Sequence, residues 1–97
     1  MAIIYDPNKR LATLRDRGVD FERAAEVFDG DVLDWPDERF DYGELRIVTI
    51  GFLDGRMVVI VWTPRGDDRH IISMRKANAR EQAHLGERFD QDRRDRT

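Results

Sequence analysis

The sequence predicts an α+β domain with the element order β-α-α-β-β-β-α and an antiparallel meander sheet packed by helices. Two observations support this prediction. Two helices with capping signals occupy the first third of the chain, and β-like segments separated by turn residues follow without an intervening helix. The chain has 97 residues, 40% hydrophobic and 38% charged, which suits one domain with a modest core. We expect that domain to cover residues 1–89.

The first part of the chain is predicted to form a short strand and a pair of helices. Residues 3–5 are an apolar run, which favours a strand. Asp6 and Pro7 then supply an N-cap and a first-turn proline for a helix that Gly18 ends. A second helix is predicted over residues 21–28, from the spacing of its apolar side chains.

The middle of the chain predicts a β-hairpin. Residues 45–53 and 57–63 are β-like, and Asp54 and Gly55 between them favour a two-residue turn. Residues 33–35 are a candidate short edge strand.

A further strand of the meander is predicted over residues 69–74. Strict alternation of side chains would place Arg69, Ile71, Ser73 and Arg75 on the same face. We therefore expect Arg69 and Arg75 to share one surface of the sheet.

The last helix is predicted over residues 78–89. Asn78, followed three residues later by Glu81, has the pattern of a capping box. Residues 90–97 have no apolar side chain, and we expect them to form a disordered charged tail.

The charge of the chain is unevenly distributed. The net charge is −3, but residues 20–44 hold ten acidic residues against two arginines, a net of −8. Residues 1–19 carry +2 and residues 65–80 carry +3. If the two basic segments meet in the fold, they form a positive surface on an acidic protein. Charge counting alone favours solvated faces whose charges compensate each other.

Several classes of protein are excluded or disfavoured by the composition. The chain has no cysteine, which excludes disulfides, cysteine-zinc sites and a thiol nucleophile. The longest apolar run, residues 57–62, is too short to span a membrane, and residues 1–5 do not have the layout of a signal peptide. We therefore expect a soluble cytoplasmic protein with no membrane partner.

Metal and serine chemistry are also disfavoured. The two histidines, His70 and His84, have no carboxylate at a ligand spacing that would suggest a metal site, so we expect no metal and no cofactor. Ser73 is the only serine and lies inside a predicted strand, without the turn that exposes a nucleophile.

Basic residues remain as the candidates for chemistry, because guanidinium groups bind phosphates and stabilise charge that develops at phosphorus. A metal-free ribonuclease also needs groups that move protons, and Glu81, Lys9 and His84 are candidates. Each has a structural alternative: Glu81 in its capping box, and the basic residues in charged turns. The residues alone indicate a small α+β domain with a phosphate-binding surface.

Several motifs go further. They include Tyr5-Asp6-Pro7-Asn8-Lys9-Arg10, Tyr42-Gly43-Glu44-Leu45-Arg46 and, above all, the run RHIISMRKANARE over residues 69–81. Together they resemble the BrnT toxins of type II toxin–antitoxin modules, over residues 2 to about 88. The resemblance implies a RelE-like ribonuclease fold and cleavage of RNA, hence arrest of translation.

The resemblance also implies partners. They are an RNA substrate and a BrnA-type antitoxin, whose ribbon-helix-helix part binds operator DNA. The chain would then contact operator DNA only through the antitoxin.

Site residues follow from the matching positions. The implied catalytic residues are Arg75, Glu81, Lys9 and Arg65; the implied RNA-binding residues are Arg69, Arg80, Lys76, Arg10 and Arg46. In the mechanism we expect, no metal takes part and the 2′-hydroxyl attacks the adjacent phosphorus. Arg75 and Arg65 hold the phosphate, and Glu81 or Lys9 moves the protons.

Two positions depart from the family pattern. Many members carry a histidine where this chain has Arg17, and a tyrosine where it has Leu85. The second departure motivates an alternative, a catalytically weak homologue that acts as an antitoxin-binding co-repressor module. A third hypothesis is a structural domain whose basic surface is incidental.

Overall fold

The computed structural model describes residues 1–39 and 41–95. Its strands are β1 (Ile3–Tyr5), β2 (Leu33–Pro36), β3 (Ile47–Leu53), β4 (Arg56–Arg65) and β5 (Asp68–Lys76). Its helices are α1 (Pro7–Arg17), α2 (Ala24–Phe28), which follows a 3₁₀ turn at Phe21–Arg23, and α3 (Ala79–Asp95). The predicted α+β class is confirmed.

The five strands form one mixed sheet in the order β1-β5-β4-β3-β2. Strands β2 to β5 form the predicted antiparallel meander, but β1 pairs with β5 in parallel, with Ile3 opposite Arg69. The prediction of a purely antiparallel sheet is therefore wrong at this edge. Tight turns between consecutive strands dictate antiparallel pairing, whereas β1 and β5 are separated by the rest of the chain, which allows parallel pairing.

The sheet has an apolar core on each side. On one side, which we call the α2 face, Phe21, Ala24 and Val27 pack with Ile60 and Met74 of the sheet. On the other, the α3 face, Leu85 and Phe89 of α3 pack with Ile50, Met57 and Val59. Covering both sides explains why β4 is apolar along most of its length.

The predicted capping of the first helix is confirmed. Asp6 Oδ1 accepts a hydrogen bond from the backbone N–H of Asn8 at 2.8 Å, and Pro7 occupies the first position of α1. Gly18 ends α1 with φ 67°, a left-handed conformation in which glycine avoids steric strain.

A β-bulge in β5 overturns the predicted alternation. Val61 pairs with Ser73, but the next residue of β4, Trp62, pairs with Ile71, so that Ile72 is an extra residue. Side chains before the bulge therefore switch faces relative to those after it. Arg69 points to the α2 face and Arg75 to the α3 face, although the sequence predicted a shared surface.

The last helix extends beyond its predicted end at residue 89. Helix α3 continues to Asp95, so residues 90–95 of the expected disordered tail are helical. Polar contacts support these last turns: Gln91 Nε2 donates to Asp95 Oδ1 at 3.1 Å, and Arg93 Nε lies 3.7 Å from Asp31 Oδ2. Residues 96–97 of the predicted tail lie outside the described residues.

Across residues 1–39 and 41–95, no helix combines the length and the apolar character that crossing a bilayer would require.

Gly51 allows α2 to approach the sheet closely. A Cβ atom at this position would lie 2.5 Å from Cγ1 of Val27 and 3.1 Å from Cγ1 of Val32. We expect Gly51→Ala to lower the free energy of unfolding by about 1–3 kcal/mol, because a packed core must shift to admit the methyl group. Urea denaturation would measure the change.

Gly86→Ala is the matched control. Nothing lies within 4 Å of a Cβ at Gly86 in α3, so alanine should leave stability unchanged or raise it by up to about 1 kcal/mol. Equal effects of the two substitutions would contradict the close-packing argument.

Candidate functional site

A groove of about 290 Å³ lies on the α3 face, between the start of α3 and the edge strand β2. We call it the sheet groove. Its floor is apolar, and both of its walls carry a guanidinium group and a carboxylate. The floor includes Trp35, Val48, Val61 and Leu85; the walls are Arg75 with Glu81 and Arg39 with Asp37.

The first wall is a bidentate ion pair between the end of β5 and the start of α3. Arg75 Nη1 donates to Glu81 Oε1 at 2.7 Å, and Nη2 donates to Oε2 at 2.8 Å. Arg75 also hydrogen-bonds weakly to its own neighbour, through Nη1 and the carbonyl oxygen of Lys76 at 3.4 Å. The planar guanidinium is therefore fixed in the wall of the groove.

Glu81 also forms the predicted capping box. Its Oε1 accepts a hydrogen bond from the backbone N–H of Asn78 at 2.9 Å, and its own N–H donates to Asn78 Oδ1 at 2.8 Å. The bond from Arg75, followed by the backbone bond at Asn78, lowers the pKa of Glu81 to about 2. Such a carboxylate is a weak base, and its geometry suits holding Arg75 in place.

The second wall is a pair that the sequence did not single out. Arg39 Nε donates to Asp37 Oδ1 at 2.8 Å, and Arg39 Nη2 donates to Oδ2 at 2.9 Å. The Asp37 side chain is only 2% exposed, whereas that of Arg39 is 70% exposed. The bonds from Arg39 are the main reason that the pKa of Asp37 is lowered to about 2. In the sequence, both residues were only part of the acidic segment.

Tyr42 connects this wall to two arginines that the family motifs indicated. The Tyr42 hydroxyl donates to Asp37 Oδ2 at 3.3 Å, and Cζ of Arg46 lies 3.9 Å above the centre of the Tyr42 ring. Glu44 then bridges the arginines, with its carboxylate 3.4 Å from Nε of Arg46 and 3.6 Å from Nη2 of Arg65. The positive surface thus continues beyond the Asp37 end of the groove.

Lys9 and Arg80 are exposed cations. Lys9 lines a shallow cavity of about 250 Å³. Ser73 of β5 lines both this cavity and the sheet groove. Arg80 precedes Glu81 in the first turn of α3. Among the described residues, neither cation has an acidic side chain within 4.0 Å of its charged nitrogens.

Arg69 and Lys76 lie on the other side of the sheet from Arg75. Cζ of Arg69 lies 3.9 Å from the ring centre of Phe28 and 5.1 Å from that of Trp62, so it is stacked against the α2 face. Lys76 lines a separate groove of about 470 Å³ between the end of α1 and the β3–β4 hairpin. The structure does not bring these two predicted RNA-binding residues to the sheet groove.

Arg10 is engaged within the helical part of the fold. Its Nε and Nη2 donate to the two carboxylate oxygens of Asp20 at 2.8 and 3.0 Å, and Nη2 lies 3.5 Å from Glu22 Oε2. Asp20 in turn caps the 3₁₀ turn through the N–H of Glu22. Arg10 therefore ties α1 to the segment before α2.

No metal-ligand cluster is present in the part of the chain that the structure describes, where no three histidine or acidic side chains are grouped to hold an ion. His84, a predicted candidate for proton transfer, is exposed on α3 and is not among the residues that line the sheet groove. The charged groups of the groove are its arginines and carboxylates.

Comparison with known proteins gives one family match. A family model described as a ribonuclease toxin, BrnT, of type II toxin–antitoxin systems matches residues 5–81. The matched range contains both walls of the sheet groove and ends before Leu85. No curated protein matches the chain.

We expect the ion pair of Glu81 with Arg75 to stabilise the fold only where Glu81 is ionised. Because folding lowers the pKa of Glu81 from 4.5 to about 2, this stabilisation is complete above pH 4.5 and is lost as the pH falls towards 2. Glu81→Gln should lower the free energy of unfolding at neutral pH by about 1–2 kcal/mol, allowing for solvent screening of a partly exposed pair.

Urea denaturation of the wild type and of Glu81→Gln, from neutral pH down to about pH 2, would test the prediction. The difference between them should be largest at neutral pH and should shrink below pH 4.5. Glu87→Gln, at an exposed position of α3, is the control and should have little effect at any pH. A difference that stays constant down to pH 3 would contradict the assignment.

Proposed function

Because the chain belongs to the BrnT family of ribonuclease toxins of type II toxin–antitoxin systems, we propose that it cleaves RNA in the sheet groove without a metal ion. One observation carries the proposal. A guanidinium is held by a bidentate carboxylate in the wall of an apolar groove, at a run of residues that the family model matches. This is an arrangement that can bind a phosphate and stabilise charge developing on it.

The proposed reaction is an internal transesterification. The 2′-oxygen of one nucleotide forms a bond to the adjacent phosphorus, and the bond from phosphorus to the 5′-oxygen of the next nucleotide breaks. The 2′-hydroxyl loses its proton and the leaving 5′-oxygen gains one. The products are a 2′,3′-cyclic phosphate and a 5′-hydroxyl end.

In this mechanism Arg75 holds the phosphate undergoing attack. Glu81 is bound through Nη1 and Nη2, and Nη1 also makes the weak bond to Lys76, so Nε of Arg75 is the nitrogen left to bind a phosphate oxygen, together with the outer hydrogen of Nη2. Glu81 keeps the guanidinium in position, and the low pKa of Glu81 favours this role over proton transfer. Lys9 remains the candidate for moving protons; it lines the neighbouring cavity that Ser73 separates from the sheet groove.

Other basic residues would position the RNA strand. Arg80 lies beside the first wall, and Arg46 and Arg65 extend the positive surface at the other end of the groove. Leu85 supplies an apolar surface to the groove floor, so this position offers no hydroxyl to the reaction.

Membership of a type II family implies an antitoxin as partner. We further propose that this antitoxin is of the BrnA type, that it carries the contact with operator DNA, and that the sheet corresponds to that of RelE-like ribonucleases. We also propose that the chain acts in the cytoplasm, where it would meet its RNA substrate.

The direct test is cleavage of labelled RNA by the purified chain in EDTA. Wild type should cleave, and Arg75→Gln should lower the rate by roughly 10²–10³-fold, as expected for loss of a group that stabilises transition-state charge. Arg56→Gln, at an exposed position of the β3–β4 hairpin, removes the same charge elsewhere and should cleave normally.

Two results would contradict the proposal. Loss of wild-type cleavage in EDTA would exclude the metal-free reaction. A 2′-deoxy nucleotide that is still cleaved at its 3′ side would exclude attack by the 2′-hydroxyl.

A second candidate function is that of an antitoxin-binding co-repressor with little ribonuclease activity. The apolar Leu85 in the groove favours it, because many family members have a tyrosine there. Expression of the chain alone in a bacterial host distinguishes the two functions. A ribonuclease should arrest growth with decay of RNA, and Arg75→Gln should relieve the arrest. A co-repressor should leave growth and RNA unaffected.

A further inference from the structure

Asp37 holds the guanidinium of Arg39 in the wall of the sheet groove. Burying a carboxylate is costly unless it is paired and hydrogen-bonded. Asp37 meets this condition, because Arg39 donates to both of its oxygens and Tyr42 donates to one of them. The backbone N–H of Arg39 adds a longer bond of 3.3 Å to Asp37 Oδ1.

This support leaves part of the guanidinium available. Arg39 uses Nε and Nη2 for Asp37, so its Nη1 has no bond to that carboxylate. The side chain is 70% exposed, although its position is fixed at one edge. A guanidinium that is fixed on one edge and open on the other is suited to bind a phosphate.

Arg39 and Arg75 face the same groove from its two walls. Their charges interact, since the positive charge of Arg39 acts against the rise that Glu81 causes in the pKa of Arg75. Two like charges that share a groove favour a bound anion between or beside them. Each guanidinium has its own carboxylate, so the arrangement is stable before an anion binds.

The floor between the walls is apolar. Trp35 contributes an aromatic ring, and Val48, Val61 and Leu85 contribute aliphatic surface. Sequence-tolerant binding of single strands combines cations along the backbone with aromatic side chains under the bases. A duplex cannot present an unstacked base to such a floor.

We propose that Arg39, positioned by Asp37, is a second phosphate-binding residue of the sheet groove, and that the floor between Arg39 and Arg75 takes an unstacked base of single-stranded RNA. This inference rests on the proposed ribonuclease function and names the form of RNA that the groove accepts.

The test measures binding of a single-stranded 2′-O-methyl RNA, which lacks the attacking hydroxyl and stays intact. Arg39→Gln should raise the Kd roughly tenfold, as expected for a hydrogen bond to a charged group. It should also reduce the slope of log Kd against log salt concentration by about 0.7, the value for one lost phosphate contact with a single strand.

Arg15→Gln is the matched control. Arg15 is 75% exposed and pairs with the neighbouring Asp16 through Nε at 2.9 Å, so it resembles Arg39 in exposure and pairing but lies on α1. It should change neither the Kd nor the slope. If Arg39→Gln and Arg15→Gln behave alike, Arg39 makes no phosphate contact and the inference is wrong.

Two further variants separate a binding role from a purely structural one. Arg39→Lys keeps the charge and loses the planar fork, so it should keep most of the salt slope with weaker binding. Asp37→Asn should weaken binding through Arg39, and the same substitution in an Arg39→Gln background should add little. Melting temperatures identify any loss of folding, and an additive effect in the double variant would exclude the positioning role of Asp37.

A duplex of the same 2′-O-methyl RNA tests the role of the floor. It should bind at least tenfold more weakly than the single strand, and equal affinities would overturn the base-binding part of the inference. Failure of the proposed function looks different: the wild type would then leave unmodified RNA intact. If Arg75→Gln loses cleavage as expected but Arg39→Gln binds the RNA as tightly as the wild type, only this inference is wrong.

Discussion

The carboxylate of Glu81 is the point on which the site depends. It accepts two bonds from Arg75 and one from the backbone N–H of Asn78, and so joins the end of β5 to the first turn of α3. The helix start and the guanidinium therefore have one common anchor. Because the pair is fixed before any ligand binds, little of the freedom of Arg75 remains to be lost on binding a phosphate.

The bulge at Ile72 decides which arginines share this environment. It directs Arg75 towards α3 and leaves Arg69 against the rings of Phe28 and Trp62 on the opposite side. The basic residues thus fall into two groups. Arg75 lines the sheet groove and Arg46 and Arg65 extend its charge, whereas Arg69 packs against aromatic rings and Arg10 binds Asp20.

Local signals made much of the fold predictable from the sequence. Asp6, Gly18 and the Asn78–Glu81 capping box begin or end helices through contacts with residues close to them in the sequence. Each was found where expected. The parallel pairing of β1 and the bulge in β5 depend on contacts between distant segments, for which one sequence carries no signal. The Asp37–Arg39 pair could not be predicted as part of the site for the same reason, since only the folded sheet brings it opposite Arg75.

The pairing of each groove guanidinium with its own carboxylate has a consequence for how the site responds to acidity. Asp37 and Glu81 lose their protons near pH 2, and the arginines keep theirs in strongly alkaline solution. None of these four groups titrates in the range where a histidine would. The groove walls therefore present the same charge pattern in a mildly acidified cell as in a neutral one.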